Sequence, residues 1–316
     1  MQNPEVLVYG YPSFDYIMRV DHFPVAGETS IILDPPGIPS PTPGGCANNI
    51  AVALSRLGIN AASCIVIGDD EEASKMKKSL ENEGVSTDYI ITVPNGKTAS
   101  TFLFINPEGA HQTFYFPGCA DDSISLNISG VKFDHLKYGV ITVGNSRHIR
   151  EFMETLYSAD IDLVWSLRND PHAFPLSLVQ LLVERCNILV MNHFESQQLL
   201  KSLGYSSLQQ ILKGCSKIII ETFGAAGSKV YIGDQIFTIP AVKPREFVDP
   251  TGAGDAFLSG FLCGLIKNLQ INTAARIGAV VSSFVIEAWG CQSSLPNWAN
   301  VVQRYREVFG EDLTNG

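Results

Sequence analysis

The strongest chemical signal in this sequence is an aspartate that follows two glycines at the start of an apolar helical run. The string reads Asp249-Pro250-Thr251-Gly252-Ala253-Gly254-Asp255-Ala256-Phe257. Backbone amides without bulky neighbours, at the positive end of a helix, suit an anion. The Asp255 carboxylate would be repelled by that anion unless it had a task, and deprotonating a hydroxyl that attacks a phosphoryl group is such a task. Asp255 considered alone could be an ordinary N-cap.

A second glycine motif precedes another helical pattern and reads Pro43-Gly44-Gly45-Cys46-Ala47-Asn48-Asn49. Paired glycines would let a small molecule approach the backbone, and Asn49 could hydrogen-bond its hydroxyl groups. A tight turn followed by a polar helix start is the alternative interpretation. The motif therefore indicates a binding loop only in combination with other signals.

A third motif, Asn192-His193-Phe194-Glu195, follows an apolar strand pattern. An N-cap residue with an acidic residue at the third helical position is a variant of the capping box, and this is the simpler interpretation. The functional alternative is that Asn192 and Glu195 hold Mg²⁺ through water molecules.

Short apolar runs rich in Val and Ile alternate with helical patterns along most of the chain. The predicted strands are residues 6–9, 64–67, 139–143, 161–165, 188–191 and 217–220. Helical periodicity lies between them, and residues 256–266 are apolar almost all round, as expected of a buried helix. This alternation predicts a parallel sheet with helices on both faces.

Two segments interrupt this alternation. Residues 16–40 contain a short strand pattern and a Pro-rich stretch, and residues 98–117 contain two β-runs around a turn at 106–109, which predicts a hairpin. Because mobile elements of this kind often close over active sites, we expect both segments to form a small lid. We expect residues 1–316 to form a single domain that includes this lid.

Composition limits the possible functions. The chain has 316 residues, 45% of them hydrophobic, and a formal net charge of −10, which allows a sizeable core and disfavours a nucleic-acid partner. Seven scattered cysteines without a C-x-x-C pair argue against a disulfide framework and favour a reducing compartment. Neither a signal peptide nor a membrane-spanning stretch is evident, so we expect a cytoplasmic protein without a membrane partner.

The opening strand and loop, both glycine motifs and the N-x-x-E motif, in this order, resemble the ribokinase-like (PfkB) family of sugar and nucleoside kinases. The resemblance covers roughly residues 5–308, and the P-loop, protein-kinase and H-E-x-x-H motifs are absent. It implies an α/β protein, a ribokinase-like three-layer α/β/α sandwich with a small β-sheet lid. It also implies transfer of the γ-phosphoryl group of ATP to an alcohol hydroxyl.

The resemblance implies roles for the residues of the opening string. Asp255 matches the catalytic base, and the amides of Gly252, Ala253 and Gly254 match the anion hole for the transferred phosphoryl group. Arg168 is the residue retained from a D-x-N-x-R segment of fructokinases and ketodeoxygluconate kinases. It would stabilise phosphate charge, since a guanidinium suits phosphate oxygens, whereas a surface-loop arginine is the alternative.

Acceptor binding is implied for four positions. Asp15, in Gly10-Tyr-Pro-Ser-Phe-Asp15, matches the family aspartate that binds substrate hydroxyls. Gly44, Gly45 and Asn49 match further substrate-binding positions.

Nucleotide and Mg²⁺ binding are implied for residues on two loops. Thr222, Gly224 and Gly227 match the loop that contacts nucleotide phosphates and ribose. Asn192 matches a phosphate-linked position, and Glu195 would hold Mg²⁺ through water. The implied cofactors are ATP and Mg²⁺.

A monovalent cation, usually K⁺, binds in many members of the family. Asp249 and Thr251 match one side of that site, and the segment 290–293 resembles its other side.

The acceptor is the least determined feature. Ser13 stands where ribokinases have an asparagine, and Gly144 and Asn145 stand where they have a glutamate, which disfavours ribose. The retained Arg168 favours a fructose- or sugar-acid-like acceptor, which is the main prediction. The aromatic segment 111–118 resembles a lid strand of nucleoside kinases, so a nucleoside is the alternative. A non-catalytic binding protein with the same fold is a further alternative.

The lid hairpin predicts an assembly. Phe102, Phe104, Phe114 and Phe116 share one face of it, so we expect a homodimer formed through the lids. Packing of these aromatic residues against the body of the same chain is the alternative.

Overall fold

A parallel-rich sheet with helices on both faces forms the framework of the protein. The computed structural model describes residues 3–33, 41–121, 124–126, 128, 131–212 and 218–313. The strands are β1 (Val6–Tyr9), β2 (Ser13–Arg19), β3 (Thr42–Gly44), β4 (Ala61–Cys64), β5 (Val66–Ile67), β6 (Ile91–Thr92), β7 (Ser100–Ile105), β8 (His111–Phe116), β9 (Tyr138–Ile141), β10 (Asp162–Ser166), β11 (Ile188–Asn192), β12 (Ile218–Thr222), β13 (Ser228–Ile232) and β14 (Gln235–Ile239). The helices are α1 (Cys46–Arg56), α2 (Glu71–Asn82), α3 (Ser146–Ser158), α4 (Leu176–Arg185), α5 (His193–Leu203), α6 (Leu208–Leu212), α7 (Ala253–Ile266), α8 (Ile271–Val285) and α9 (Trp298–Phe309).

The order of the strands brings the functional loops to one edge. The central sheet runs β14-β13-β12-β11-β10-β9-β1-β4, with parallel pairing from β4 to β12 and antiparallel pairing beyond β12. Carboxyl ends of parallel strands lie at the same edge of a sheet, where open α/β folds bind ligands. Tyr11, Arg168, Asn192 and Thr222 therefore lie at this edge, at or just after the ends of β1, β10, β11 and β12.

Side chains of each strand alternate between two cores, as the period of two requires. In β1, Val6 and Val8 belong to the core under α1, α7 and α8, whereas Leu7 and Tyr9 belong to the core under α3 and α4. The helices therefore cover both faces, which is the predicted three-layer sandwich. Among the described residues, no helix is both long enough and apolar enough to cross a lipid bilayer.

Most of the predicted strands lie in the sheet, with one exception and one omission. The run 64–67 was expected as one strand, but the sheet strand is β4, and β5 pairs with β6 in a separate two-stranded ladder. The small residues Ala61, Ala62 and Ser63 gave β4 a weak strand pattern. The antiparallel pair β13–β14 was not predicted, and Lys217, the expected start of β12, lies outside the described residues.

A second sheet, in the order β3-β2-β7-β8, forms the lid. The expected hairpin at 98–117 is β7 and β8, and β2 begins at Ser13, before the expected segment 16–40. Residues 34–40 of that segment lie outside the described residues. Because β2 pairs parallel with β7, the lid joins a strand that follows β1 to the hairpin.

Candidate active site

Asp255 lies in the first turn of α7 with only 3% of its surface exposed. Its Oδ1 accepts a hydrogen bond from Arg168 Nη2 at 2.6 Å, and its Oδ2 accepts one from Asn49 Nδ2 at 3.2 Å. Gln292 Nε2 donates to Asn49 Oδ1 at 3.0 Å, which orients the Asn49 amide. Arg168 and Asn49, which the sequence singled out separately, therefore converge on one buried carboxylate.

The turn before α7 depends on a glycine. Gly252 has φ of 80°, a left-handed conformation that side chains disfavour, and a Cβ there would lie 2.8 Å from Cys291 Cβ. A Cβ on Gly254 would meet only Arg168 Nη2, at 3.7 Å. The Ala253 amide donates to the Pro250 carbonyl at 3.2 Å, so it is engaged in the turn, unlike the free donor that the sequence suggested.

Arg168 follows β10 and points towards Asp255. Its Nη1 donates to the Leu167 carbonyl at 3.0 Å, which helps to fix the guanidinium. Burial opposes its charge, but Cys46, Asp255 and Glu195 outweigh burial and raise the pKa of Arg168. The guanidinium is therefore a positive charge held beside the buried Asp255 carboxylate, which a free surface-loop arginine would not be.

A cavity of about 450 Å³ lies between the lid and α7. Asp15, Gly45, Asn49 and Asp255, which the sequence analysis named as substrate-binding or catalytic residues, line it. Gly44 lies beneath it, and a Cβ on Gly44 would overlap the Asp15 carboxylate. Glycine at this position therefore makes room for a binding residue.

The environment of Asp15 is unusual for a carboxylate. Burial raises its pKa, and side-chain hydrogen bonds with Ser13 and Thr101 partly counteract this effect. The hydroxyls of Ser13 and Thr101 lie 2.6 Å apart and line the same cavity. The Asp15 carboxylate is therefore a hydrogen-bond acceptor whose charged form is stabilised by hydroxyl donors.

Tyr11 and Tyr115 add two aromatic rings to the lining of this cavity, and neither was named as a site residue from the sequence. Their ring centroids lie 5.2 Å apart, and the Tyr11 hydroxyl donates to Asp121. The segment 111–118 was marked for its aromatic residues, so Tyr115 could have been found from β alternation. Tyr11 carried no signal except its position four residues before Asp15.

Cys46 and Cys291 also line this cavity. Burial raises the pKa of the Cys46 thiol to about 12, so Cys46 is a neutral thiol at physiological pH. Burial likewise raises the pKa of Cys291. These residues therefore shape the cavity and are poor nucleophiles.

A second cavity of about 500 Å³ lies on the other side of the turn at 250–254. Thr222, Gly224 and Gly227, the predicted nucleotide residues, line it together with a segment from 240 to 247. Pro250, Ala253 and Gly254 line both cavities. The two cavities thus share a thin backbone wall at the N-terminus of α7, where an anion is favoured.

Asn192 and Glu195 form a complete capping box. Asn192 Oδ1 accepts from the Glu195 amide, Glu195 Oε2 accepts from the Asn192 amide, and both distances are 2.8 Å. Asn192 lines neither cavity, whereas Glu195 lies with Arg168 in a third cavity of about 330 Å³. Burial raises the pKa of Glu195, and the Asn192 amide and Arg168 partly offset this effect. The motif therefore forms the capping box of the simpler interpretation.

Within the part of the chain that the structure describes, no group of three or more His, Cys, Asp or Glu side chains is placed to hold a metal ion. Proteins usually bind Mg²⁺ through one or two carboxylates together with substrate phosphates, so the fit of this ion depends on a carboxylate near the phosphate site. Glu195 is the carboxylate that would serve.

The Asp249 carboxylate is buried, with only 4% of the residue exposed. The groups that donate hydrogen bonds to it are uncharged. Thr251 Oγ1 donates to it at 2.6 Å and the Gly290 amide at 3.2 Å. No lysine or arginine among the described residues forms an ion pair with it. An uncompensated buried charge fits a cation between Asp249 and the segment 290–293.

Comparison with known proteins gives consistent matches. A family model described as "pfkB family carbohydrate kinase" matches residues 3–298. A nucleoside kinase of Methanothermobacter thermautotrophicus is 28% identical over 98% of each chain. A ribokinase of Lactococcus lactis is 26% identical over 96% of this chain and 98% of the other. The crystal structure of the nucleoside kinase of Methanocaldococcus jannaschii, described as an archaeal member of the ribokinase family, gives a TM-score of 0.85 at 26% identity over 97% of this chain and 100% of that one.

Proposed function

Since this chain belongs to the pfkB family of carbohydrate kinases, we propose that it transfers the γ-phosphoryl group of ATP to a hydroxyl of a nucleoside. Family membership makes it an ATP-using phosphotransferase with an alcohol acceptor. The fructose- or sugar-acid-like acceptor favoured by the sequence gives way to the alternative. The reason is that two of the compared relatives are named nucleoside kinases.

The single observation that carries this proposal is the mixed polar and aromatic lining of the 450 Å³ cavity, which we take as the acceptor cavity. Asp15, Asn49 and Asp255 in this lining suit the hydroxyls of a sugar ring. The rings of Tyr11 and Tyr115 in the same lining suit a flat aromatic base. A nucleoside has both parts, whereas a free sugar has only the first.

In the proposed reaction Asp255 accepts the proton of the attacking hydroxyl as its oxygen forms a bond to the γ-phosphorus. The bond between that phosphorus and the bridging oxygen breaks, and ADP leaves with the electron pair. Arg168 and the backbone at Gly252 and Gly254 stabilise the charge on the transferred group. Glu195 would hold Mg²⁺ through water, and the ion would neutralise part of the phosphate charge.

The position of the wall at 250–254 supports direct transfer. Asp255 lines the acceptor cavity, whereas Gly254 next to it lines both cavities. A phosphoryl group bound at this wall would therefore be reached by the acceptor from one side and by the nucleotide from the other. Asp249 and Thr251, within or beside the same turn, would place a monovalent cation where it stiffens the wall.

The outer face of the lid supports a homodimer. Phe102, Phe114 and Phe116 are 37%, 58% and 49% exposed, whereas Thr101 and Tyr115 face the cavity. The aromatic face thus points away from the body of its own chain. Burying it against a second lid would remove a large apolar surface from water.

A turnover assay with ATP against a panel of nucleosides and free sugars tests the proposed function. We expect nucleosides to be phosphorylated with the higher kcat/KM, and Tyr115→Leu to raise the nucleoside KM. Phe116→Leu, the neighbour on the outer face, is the matched control and should leave that KM unchanged. Faster turnover of fructose or ribose than of any nucleoside would overturn the proposal, and turnover of no compound would favour a binding protein.

A further inference from the structure

Residues 240–247, called the rim below, border the 500 Å³ cavity that the proposed function assigns to the nucleotide. Lys243, Pro244 and Phe247 line the cavity, and Phe247 is 71% exposed. Residues 240–247 form neither helix nor strand, so their position depends on contacts with other elements. What holds the rim therefore decides the shape of the nucleotide site.

One carboxylate contacts the backbone of the rim, whereas Glu307 contacts only the exposed Arg245 side chain, at 3.3 Å. Glu287, just after α8, accepts a hydrogen bond from the Arg245 backbone amide through Oε1 at 2.7 Å. The Arg245 amide lies between Pro244 and Phe247, which line the cavity. A carboxylate that accepts a hydrogen bond from a backbone amide holds that part of the backbone in place. The charge of the carboxylate makes this hydrogen bond stronger than one between neutral groups.

Glu287 is itself held by Arg304 of α9. Arg304 Nη1 and Nη2 donate to the two Glu287 oxygens at 2.8 and 3.1 Å, which is a bidentate pair. The guanidinium lies 3.3 Å from the centre of the Phe284 ring and is 5% exposed as a residue. Its rotamer is therefore fixed by packing, and it presents Glu287 in one orientation.

Arg304 reaches the cavity by a second route. Its Nη1 also donates to Ser283 Oγ at 3.0 Å, and Ser283 lines the nucleotide cavity from α8. Through Glu287, Arg304 supports the rim, and through Ser283 it supports the side of the cavity formed by α8. Both walls would move if its position changed.

Stability alone does not account for this arrangement. A buried ion pair loses much of its attraction to the cost of removing both charges from water, and apolar residues of similar size are often as stable or more so. What apolar residues cannot do is accept a hydrogen bond from the Arg245 amide. The pair therefore has a positional consequence that packing would not reproduce.

We propose that Arg304 and Glu287 are positioning residues for the nucleotide site, which fix the rim at 243–247 and the Ser283 wall of α8. The proposal rests on the assignment of this cavity to ATP in the proposed function. Neither residue contacts the reacting groups, so their loss should weaken nucleotide binding and leave acceptor binding unchanged.

The experiment measures ATP affinity by calorimetry and the KM for each substrate in four variants. Glu287→Ala removes the acceptor of the Arg245 amide and should weaken ATP binding about tenfold. Glu287→Gln keeps that acceptor and should stay within about threefold of the parent. The double variant Arg304→Met/Glu287→Met removes both charges, so it should unfold at or above the parent temperature yet bind ATP as weakly as Glu287→Ala. Arg306→Met, which removes an exposed ion pair from the same helix, is the control.

Two results would overturn the inference. One is a folded double variant with ATP affinity within about twofold of the parent, because the pair would then only stabilise the fold. The other is an equal rise in the ATP and acceptor KM values. Direct ATP titration needs no acceptor, so a protein that binds ATP but phosphorylates no nucleoside would contradict the proposed function without affecting this result.

Discussion

Replacing Asp255 by asparagine keeps the size of the side chain and removes its ability to take a proton. Asp255 is 3% exposed, so the change opens no cavity. A positioned general base contributes about 10²–10⁴-fold to a rate, or about 3–5 kcal/mol of the barrier. We therefore expect kcat to fall by at least about 100-fold.

The hydrogen bonds around Asp255 predict a second, smaller effect. The amide oxygen of an asparagine could still accept from Arg168, but its amide nitrogen would then face the Asn49 Nδ2 donor, now 3.2 Å from Oδ2. Asn49 would have to turn over, and it would lose the bond from Gln292. The acceptor KM should therefore rise, by about threefold to tenfold, the loss of roughly one neutral hydrogen bond.

Steady-state kinetics and nucleotide titration measure both effects. Asp255 does not line the nucleotide cavity, so the ATP dissociation constant should stay within about threefold of the parent. Asp312→Asn, which alters an exposed ion pair far along the chain, is the control for the same chemical change. A kcat within about tenfold of the parent would refute the reasoning that Asp255 is the base.

Gly252→Ala should lower both kcat and the unfolding temperature, because φ of 80° and the Cys291 contact at 2.8 Å cost about 1–3 kcal/mol; an unchanged melting curve would contradict this. Gly254→Ala should melt like the parent, since its Cβ would meet only Arg168 Nη2 at an ordinary contact distance of 3.7 Å. It should lower kcat about tenfold by crowding the transferred phosphoryl group, and full activity would argue against the shared wall as the transfer point. Burial raises the pKa of Asp15 above its unfolded value, so this group stabilises the fold at low pH and loses that contribution as pH rises through the folded pKa. Asp15→Asn should therefore raise the unfolding temperature at pH 7 more than at about pH 3, while it weakens acceptor binding; an equal gain at both pH values would be the contrary result. Phe114→Glu should convert a dimer to a monomer in light scattering, and a parent protein that is already monomeric would refute the assembly.

The sequence singled out most of the polar residues that line the two cavities, because they occur in compact strings. Asp255 with its glycines and the Gly44–Gly45 pair each lie within one loop, where spacing alone carries the signal. The three-layer sandwich was likewise predictable from strands that read as continuous apolar runs. Such runs are typical of strands buried on both faces.

What the sequence did not predict depends on contacts between distant residues. Asn49 and Asp255 are 206 residues apart, and their hydrogen bond follows from the packing of α1 against α7. Tyr11 meets Tyr115 only because β2 pairs with β7 and brings the lid back to the loop after β1. No local pattern encodes either meeting.

The edge of the central sheet was missed for a different reason. β13 and β14 mix polar and apolar residues, because an antiparallel edge is covered less completely than the parallel centre. Their pattern was too weak to indicate strands. Without them, the loop that carries Gly224 and Gly227 had a predicted strand before it but none after it.

The shared wall at 250–254 also bears on how this protein could be re-engineered. Among the described residues, Pro250, Ala253 and Gly254 alone line both cavities, whereas Thr113 and Tyr115 of the lid line the proposed acceptor cavity and not the other. Libraries confined to such lid positions can therefore search for new acceptors without altering how the nucleotide is held. Because the lid residues are separate from the turn at 250–254, the lid is a practical starting point for directed evolution of acceptor choice.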